Sequence, residues 1–220
     1  CVAGIPFFVS SLEHKAEDLC QGLARAAHRR EPTLPEVESL LFDFGKLMHF
    51  LDIVGEVSSP ELFEAMENCH KRFGCQHYFI DSLMRISGLE ENYPAQTEFM
   101  NSLQSFCKRT KSHIHLVTHP RKIDETQRAR KMDVKGSGNI PNNADNILSI
   151  RRNIQKQDAY DNGKPVSGMH DADISIEKQR ATGWQGVFKL KFDKASRTFS
   201  RFYSEPDNYN PKVKERKRYD

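Results

Sequence analysis

His77-Tyr78-Phe79-Ile80-Asp81 decides the fold: an apolar strand running straight into a carboxylate. His113-Ile114-His115-Leu116-Val117-Thr118 does the same into His119, and Phe7-Phe8-Val9 leads into Ser10-Ser11-Leu12-Glu13. Apolar runs this short, bounded by polar breaks and separated by helical stretches, predict buried parallel strands. In open α/β sheets ligands bind beyond the carboxyl ends of such strands. Glu13, Asp81 and His119 are therefore expected on one edge.

The intervening segments carry helix signals. In 15–30, Ala16, Leu19, Leu23 and Ala27 fall on one face. After the Pro32 to Pro35 break a second helix is expected to about Phe50, then a short strand over 51–54. Ser59 as N-cap, Pro60 at N1 and Glu61 in the first turn open a third helix, which Gly74 ends. Phe99, Leu103, Phe106 and Cys107 recur at helical spacing after Tyr93-Pro94. Segment 121–132 is basic and lacks an apolar period, so a loop is expected, followed by a strand over 147–150. Segment 153–170, with its Asp161-Asn162-Gly163 turn signal, reads as a polar loop. Alternating residues in 174–178 and 187–192 around Thr182-Gly183 predict a β-hairpin.

Composition narrows the classes. The 220 residues suit one α/β domain with a polar, flexible tail from about 204. A net charge of +3 fits a soluble protein with a local basic patch, and not a wholly basic nucleic-acid coat. No apolar stretch approaches the ~18 residues of a membrane span, and no secretory signal is visible. The Cys count of 5, widely spaced, is the usage of a reducing compartment. Cys69, His70, Cys75 and His77 match no familiar zinc spacing, and His113 and His115 share a strand face suited to a core or interface. The chain opens at Cys1 without a methionine and drops into a strand, so it is expected to be a piece of a longer polypeptide.

Several blocks stand in a fixed order: Ser11-Leu12-Glu13; Tyr78-Phe79-Ile80-Asp81-Ser82-Leu83; Leu116-Val117-Thr118-His119-Pro120-Arg121-Lys122; Gly136-Ser137-Gly138 leading to Asn143-Ala144-Asp145-Asn146; and Glu177-Lys178-Gln179-Arg180-Ala181-Thr182-Gly183. Together they resemble the motor domain of ring-shaped replicative helicases of the DnaB type. The His119-Pro120-Arg121-Lys122 run has the look of the Twinkle and phage primase-helicase branch.

The resemblance implies a RecA-like α/β fold over residues 1–203: a mostly parallel sheet flanked by helices, with a C-terminal β-hairpin. It implies ATP or another NTP and Mg²⁺ as cofactors, single-stranded DNA as partner, and a homo-hexamer in the full-length protein. It further implies a possible linked primase domain, no membrane, and a cytoplasmic setting in a bacterial or phage-infected cell. By the same match Glu13 would be the general base and Asp81 the Walker B carboxylate holding Mg²⁺ through water. His119 would sense the γ-phosphate, Arg180 would be the arginine finger and Lys178 its helper. Arg152 and Phe192 fall near the family's base clamp.

Arg121, Lys122, Arg128, Arg130, Lys131 and Lys135, with Gly136, Ser137 and Gly138, would meet DNA phosphates. By residue type alone, each of these also has an ordinary reading as a turn acid, a loop histidine or a solvated cation. No Gly-x-x-x-x-Gly-Lys-Ser/Thr occurs in the chain. The family places that loop upstream of the Glu13 strand, and its own strand between the His119 and Ile147 strands. The fragment is therefore expected to lack the phosphate cradle and to hydrolyse no ATP alone. Two readings remain open: part of a helicase motor, or a non-catalytic RecA-like module that binds DNA or a partner.

Overall fold

The computed structural model describes residues 4–122 and 129–202. Two four-stranded sheets organise it. The first has the order β2-β1-β3-β4, all parallel: β1 Phe7–Ser11, β2 Met48–Phe50, β3 His77–Asp81 and β4 His113–Leu116. The second is antiparallel, β5 Asn146–Arg152, β6 Ala172–Gln179, β7 Gly186–Asp193 and β8 Thr198–Arg201, in chain order.

The helices are α1 Ala16–His28, α2 Leu34–Phe44, α3 Ser59–Phe73, α4 Tyr93–Thr110, α5 Asn139–Asn143 and α6 Ile154–Asp161. Leu62 and Met66 of α3 and Phe99, Leu103 and Phe106 of α4 pack on Phe8, Tyr78 and Ile80, forming the core on one face of the parallel sheet. Tyr78 is fully buried, and its hydroxyl donates to the Cys75 carbonyl at 3.0 Å. The other face carries an aromatic and histidine stripe. Phe79 stacks on His115 at 4.3 Å, with His77 and His113 alongside. Burial, then the neighbouring His113 and His77, holds the His115 pKa below its ordinary value.

The expected α/β class is present: a parallel sheet flanked by helices, with the hairpin β6–β7 inside the C-terminal sheet. Several boundaries differ. The second helix ends at Gly45, and the strand is Met48–Phe50, not 51–54. The α1 residues that bury are Cys20 and Ala24, a face next to the one expected. The N-cap of α3 is Ser58, one residue early: Ser58 Oγ accepts from Glu61 N–H and the Glu61 carboxylate accepts from Ser58 N–H, a reciprocal capping box. Segment 153–170 contains α6, capped by Asn153, and the chain returns through β8, which was not expected.

The segment around α6 is tied down by charge. Lys156 bonds Asp171 at 2.7 Å, and His170 and Arg151 both reach the buried Asp173. Among the described residues no helix is long and apolar enough to cross a membrane. Nor do three or more His, Cys, Asp or Glu side chains cluster there as a metal cage would need.

Candidate active site

From β1 the chain crosses to β2 on one side, then returns past β1 to β3 and on to β4. The direction of winding therefore reverses between β1 and β3, and ligands in open α/β sheets sit beyond the strand ends at such a switch point. Ser11 stands in register with Asp81 there, and Leu12 N–H donates to the Asp81 carbonyl at 2.8 Å. This bond and that from Gly55 N–H to Leu12 O fix the turn that presents Glu13. The Val117 carbonyl takes Leu83 N–H at 3.0 Å, bringing the extension of β4 beside the β3 end. The Asp81–Ser82 peptide is cis.

A cleft of about 560 Å³ opens over these ends. Glu13, Ser82 and His119 line it, with Arg121, Lys122 and Lys135 along its basic side. Asp81 lies next to it through Ser82. The carboxylate of Asp81 has no hydrogen-bond or ion-pair partner among the described residues. Among the described residues the buried hydroxyls of Ser11 and Ser82 have no acceptor or donor. A half-buried carboxylate flanked by unsatisfied hydroxyls suits a hydrated Mg²⁺, which keeps several waters and takes one or two protein oxygens. The surrounding cations suit a polyphosphate. The residues present thus fit Mg²⁺ and a nucleotide at the strand ends.

Sequence reasoning missed Arg85, Glu56 and Glu90 in this cleft. Arg85 Nε lies 3.5 Å from Glu13 Oε1, and Lys135 pairs with Glu90 at 3.6 Å. No spacing signal marks Arg85. It reaches the cleft because a short 3₁₀ turn over Leu83–Arg85 follows β3.

The basic loops are joined to the site through the backbone. Arg121 N–H donates to Asp133 O and Lys135 N–H to His119 O at 2.9 Å, so the stretches leaving β4 and approaching Gly136 run side by side. Arg121 also donates to the Gly136 carbonyl. Segment 137–143 is stapled to α4: the buried Gln96 accepts from Ser137 N–H at 2.6 Å and donates to Leu89 O at 2.7 Å. Asn139 bonds Thr97, Asn143 bonds Asn101, and Gln104 bonds Asn143 O. The Ser137 amide is therefore committed to Gln96 and not open to a phosphate. Lys122, Arg130, Lys131 and Gly138 are exposed. Arg128 lies outside the described residues.

The remaining candidates stand elsewhere. Lys178, at the end of β6, donates to the carbonyls of Pro141 (2.8 Å) and Asn142 (3.0 Å). Burial, then the Arg180 charge, holds its ammonium pKa below the ordinary lysine value. Arg180 follows it, and neither lines the cleft. Arg152 ends β5 and contacts Gln157, while Phe192 of β7 packs on Phe199 of β8. β6 separates these two, and the structure does not bring them to the cleft.

A parallel sheet with its switch point, a carboxylate at each of two adjacent strand ends and a histidine on the next defines a RecA-like α/β domain. The chain belongs to the DnaB-like helicase C-terminal domain family, whose model matches residues 9–201. DnaB-like helicase domains are NTP-dependent and generally require Mg²⁺. The family acts on single-stranded DNA and forms hexameric rings.

Proposed function

We propose that residues 1–203 form part of an ATP-driven, ring-shaped replicative helicase motor that moves along single-stranded DNA. The observation that supports this reading is a cleft over the strand ends lined by Glu13 and His119, with Asp81 beside it in register with Ser11 and basic loops bonded to the same edge. Bound Mg²⁺–ATP supplies the phosphoryl group and neutralises developing charge. Glu13 would accept a hydrogen bond from the attacking water, Asp81 would hold Mg²⁺ through water, and His119 would sense the terminal phosphate. Its carbonyl bond to Lys135 N–H gives it a direct backbone path to the Gly136 loop. Lys122, Arg130 and Lys131 neutralise DNA phosphates without reading bases. Arg180, exposed at the end of β6, reaches the neighbouring subunit's nucleotide, with Lys178 beside it. The His119-Pro120-Arg121-Lys122 run supports the phage primase-helicase or Twinkle branch, with a linked primase and a bacterial or phage-infected cytoplasm as its setting.

Among the described residues β4 pairs only with β3 and β5 only with β6. Two open edges, with Leu148 58% and Ile150 69% exposed on β5, are where one further strand would complete a continuous sheet. No Walker A motif occurs in the 220 residues. The 220 residues alone therefore hydrolyse no ATP. Turnover by this chain in isolation would falsify that statement.

The test is ATP hydrolysis by the full-length protein, with and without single-stranded DNA, beside Glu13→Gln. DNA-stimulated hydrolysis lost in the variant, with nucleotide binding kept, supports the motor. Salt-sensitive DNA binding without hydrolysis in the parent assigns a non-catalytic binding module instead.

A further inference from the structure

Arg180 is held by more than its place in the chain. Its Nη1 lies 2.7 Å from Asp145 Oδ1 as an ion pair and its Nη2 donates to the Asn142 carbonyl at 3.0 Å, while its own backbone N–H donates to Asp145 O at 2.9 Å. The side chains remain open to solvent, Arg180 at 55% and Asp145 at 69%. A solvated ion pair of this kind contributes little to stability. A guanidinium fixed by a carboxylate on one nitrogen and a carbonyl on the other is, however, restricted in orientation. Among the described residues Nε has no partner.

We propose that Asp145 is the positioning residue for Arg180, setting the guanidinium for the neighbouring subunit's triphosphate. This rests on the finger reading of Arg180. The same geometry says what Arg180 answers to. Asn142 and Pro141 belong to α5, whose carbonyls Lys178 and Arg180 share. α5 follows directly on Lys135-Gly136-Ser137-Gly138 and is bonded along α4 by Thr97, Asn101 and Gln104. Arg180 is thereby tied through Asn142 to the segment that leaves the Gly136 loop, while Asp145 holds its other terminal nitrogen.

The experiment compares Asp145→Ala, Asp145→Asn and Asp145→Glu with Arg180→Ala and the Asp145→Ala/Arg180→Ala double variant in the full-length, assembled protein. The readouts are kcat and KM for ATP, DNA-binding affinity and thermal melting. Loss of aim lowers kcat about tenfold in Asp145→Ala, with KM and DNA affinity unchanged, because the lost interaction is made in the transition state. Asp145→Glu recovers most of the rate, Asp145→Asn falls between, and the double variant is no slower than Arg180→Ala alone. Unchanged or faster turnover in Asp145→Ala overturns the proposal, as do multiplicative losses in the double variant. Wild-type turnover in Arg180→Ala is a different failure, since it removes the finger reading itself. Asp145 is exposed, so melting should not move, and a collapsed melt in all three Asp145 variants assigns a structural role and also overturns the proposal.

Discussion

Gly136 shows how much one residue can settle. Its φ is +118°, and a Cβ there would lie 2.6 Å from Gln96 Oε1 and 2.8 Å from Ile140 Cδ1. The bond between Gln96 and Ser137 N–H needs that space. Gly136→Ala should therefore cost about 2 kcal/mol of stability, through backbone strain and a displaced buried amide, and a thermal melt at neutral pH reads it directly. A melt within error of the parent would mean the loop relaxes freely. Glu36 makes a prediction in pH. Hydrogen bonds from Arg30, then from the Thr33 backbone, lower its carboxyl from 4.5 to about 2. A depressed folded pKa stabilises above the ordinary value and is lost as pH falls through about 2. Between those limits the parent should lose melting temperature faster than Glu36→Gln. Parallel acid limbs for the two proteins would remove Glu36 from the account.

At the level of elements, capping is the clearest case. The Ser58–Glu61 box closes the start of α3, and its hydrogen bonds depress the Glu61 carboxyl. Ser58→Ala should lower stability by about 1 kcal/mol, while Ser59→Ala should leave it nearly unchanged. Denaturant midpoints separate the two, and equal midpoints would contradict the assignment. The sequence contains Ser58 and Ser59 side by side, so propensity marks the cap without choosing its residue. Gly45 is the break that ends α2, and Met48–Phe50 takes the strand because its register with Phe7–Val9 pairs it to β1. Apolar content alone favoured 51–54 equally. α6 was invisible for a different reason. It buries no residue and is held by the Asn153 cap and the Lys156–Asp171 pair, neither of which leaves a periodic trace. The strand ends were legible, and Glu13 and His119 line one cleft there, with Asp81 ending β3 beside Ser82. Arg85 and Gln96 depend on a turn and a helix face that only tertiary contact defines.

The whole molecule is divided between the β4 edge of one sheet and the β5 edge of the other. Leu148 and Ile150 on β5, Val117 beyond β4 and Phe79 on the bare sheet face are exposed apolar side chains. Unpaired edges of this kind invite pairing between chains. The 220-residue chain alone should associate as its concentration rises, and Ile150→Lys should delay that association. Light scattering against concentration gives the comparison, and identical onset for both proteins would show that the edge is not the contact.

The division also sets an order of events in time. The β5–β8 sheet is a meander, each strand pairing with its immediate successor in the chain, so its contacts are local and hairpin closure takes about microseconds. The parallel sheet waits for long crossovers, because β1 pairs with β3 only after two helices, β2 and α3 have been laid down between them. Contacts between distant parts of a chain are the slow ones to form. The carboxyl-terminal half can thus present Arg180 on a finished platform while the strand-end cleft at Glu13 and Ser82 is still assembling. Amide protection after dilution from denaturant should appear in β6 and β7 before it appears in β1.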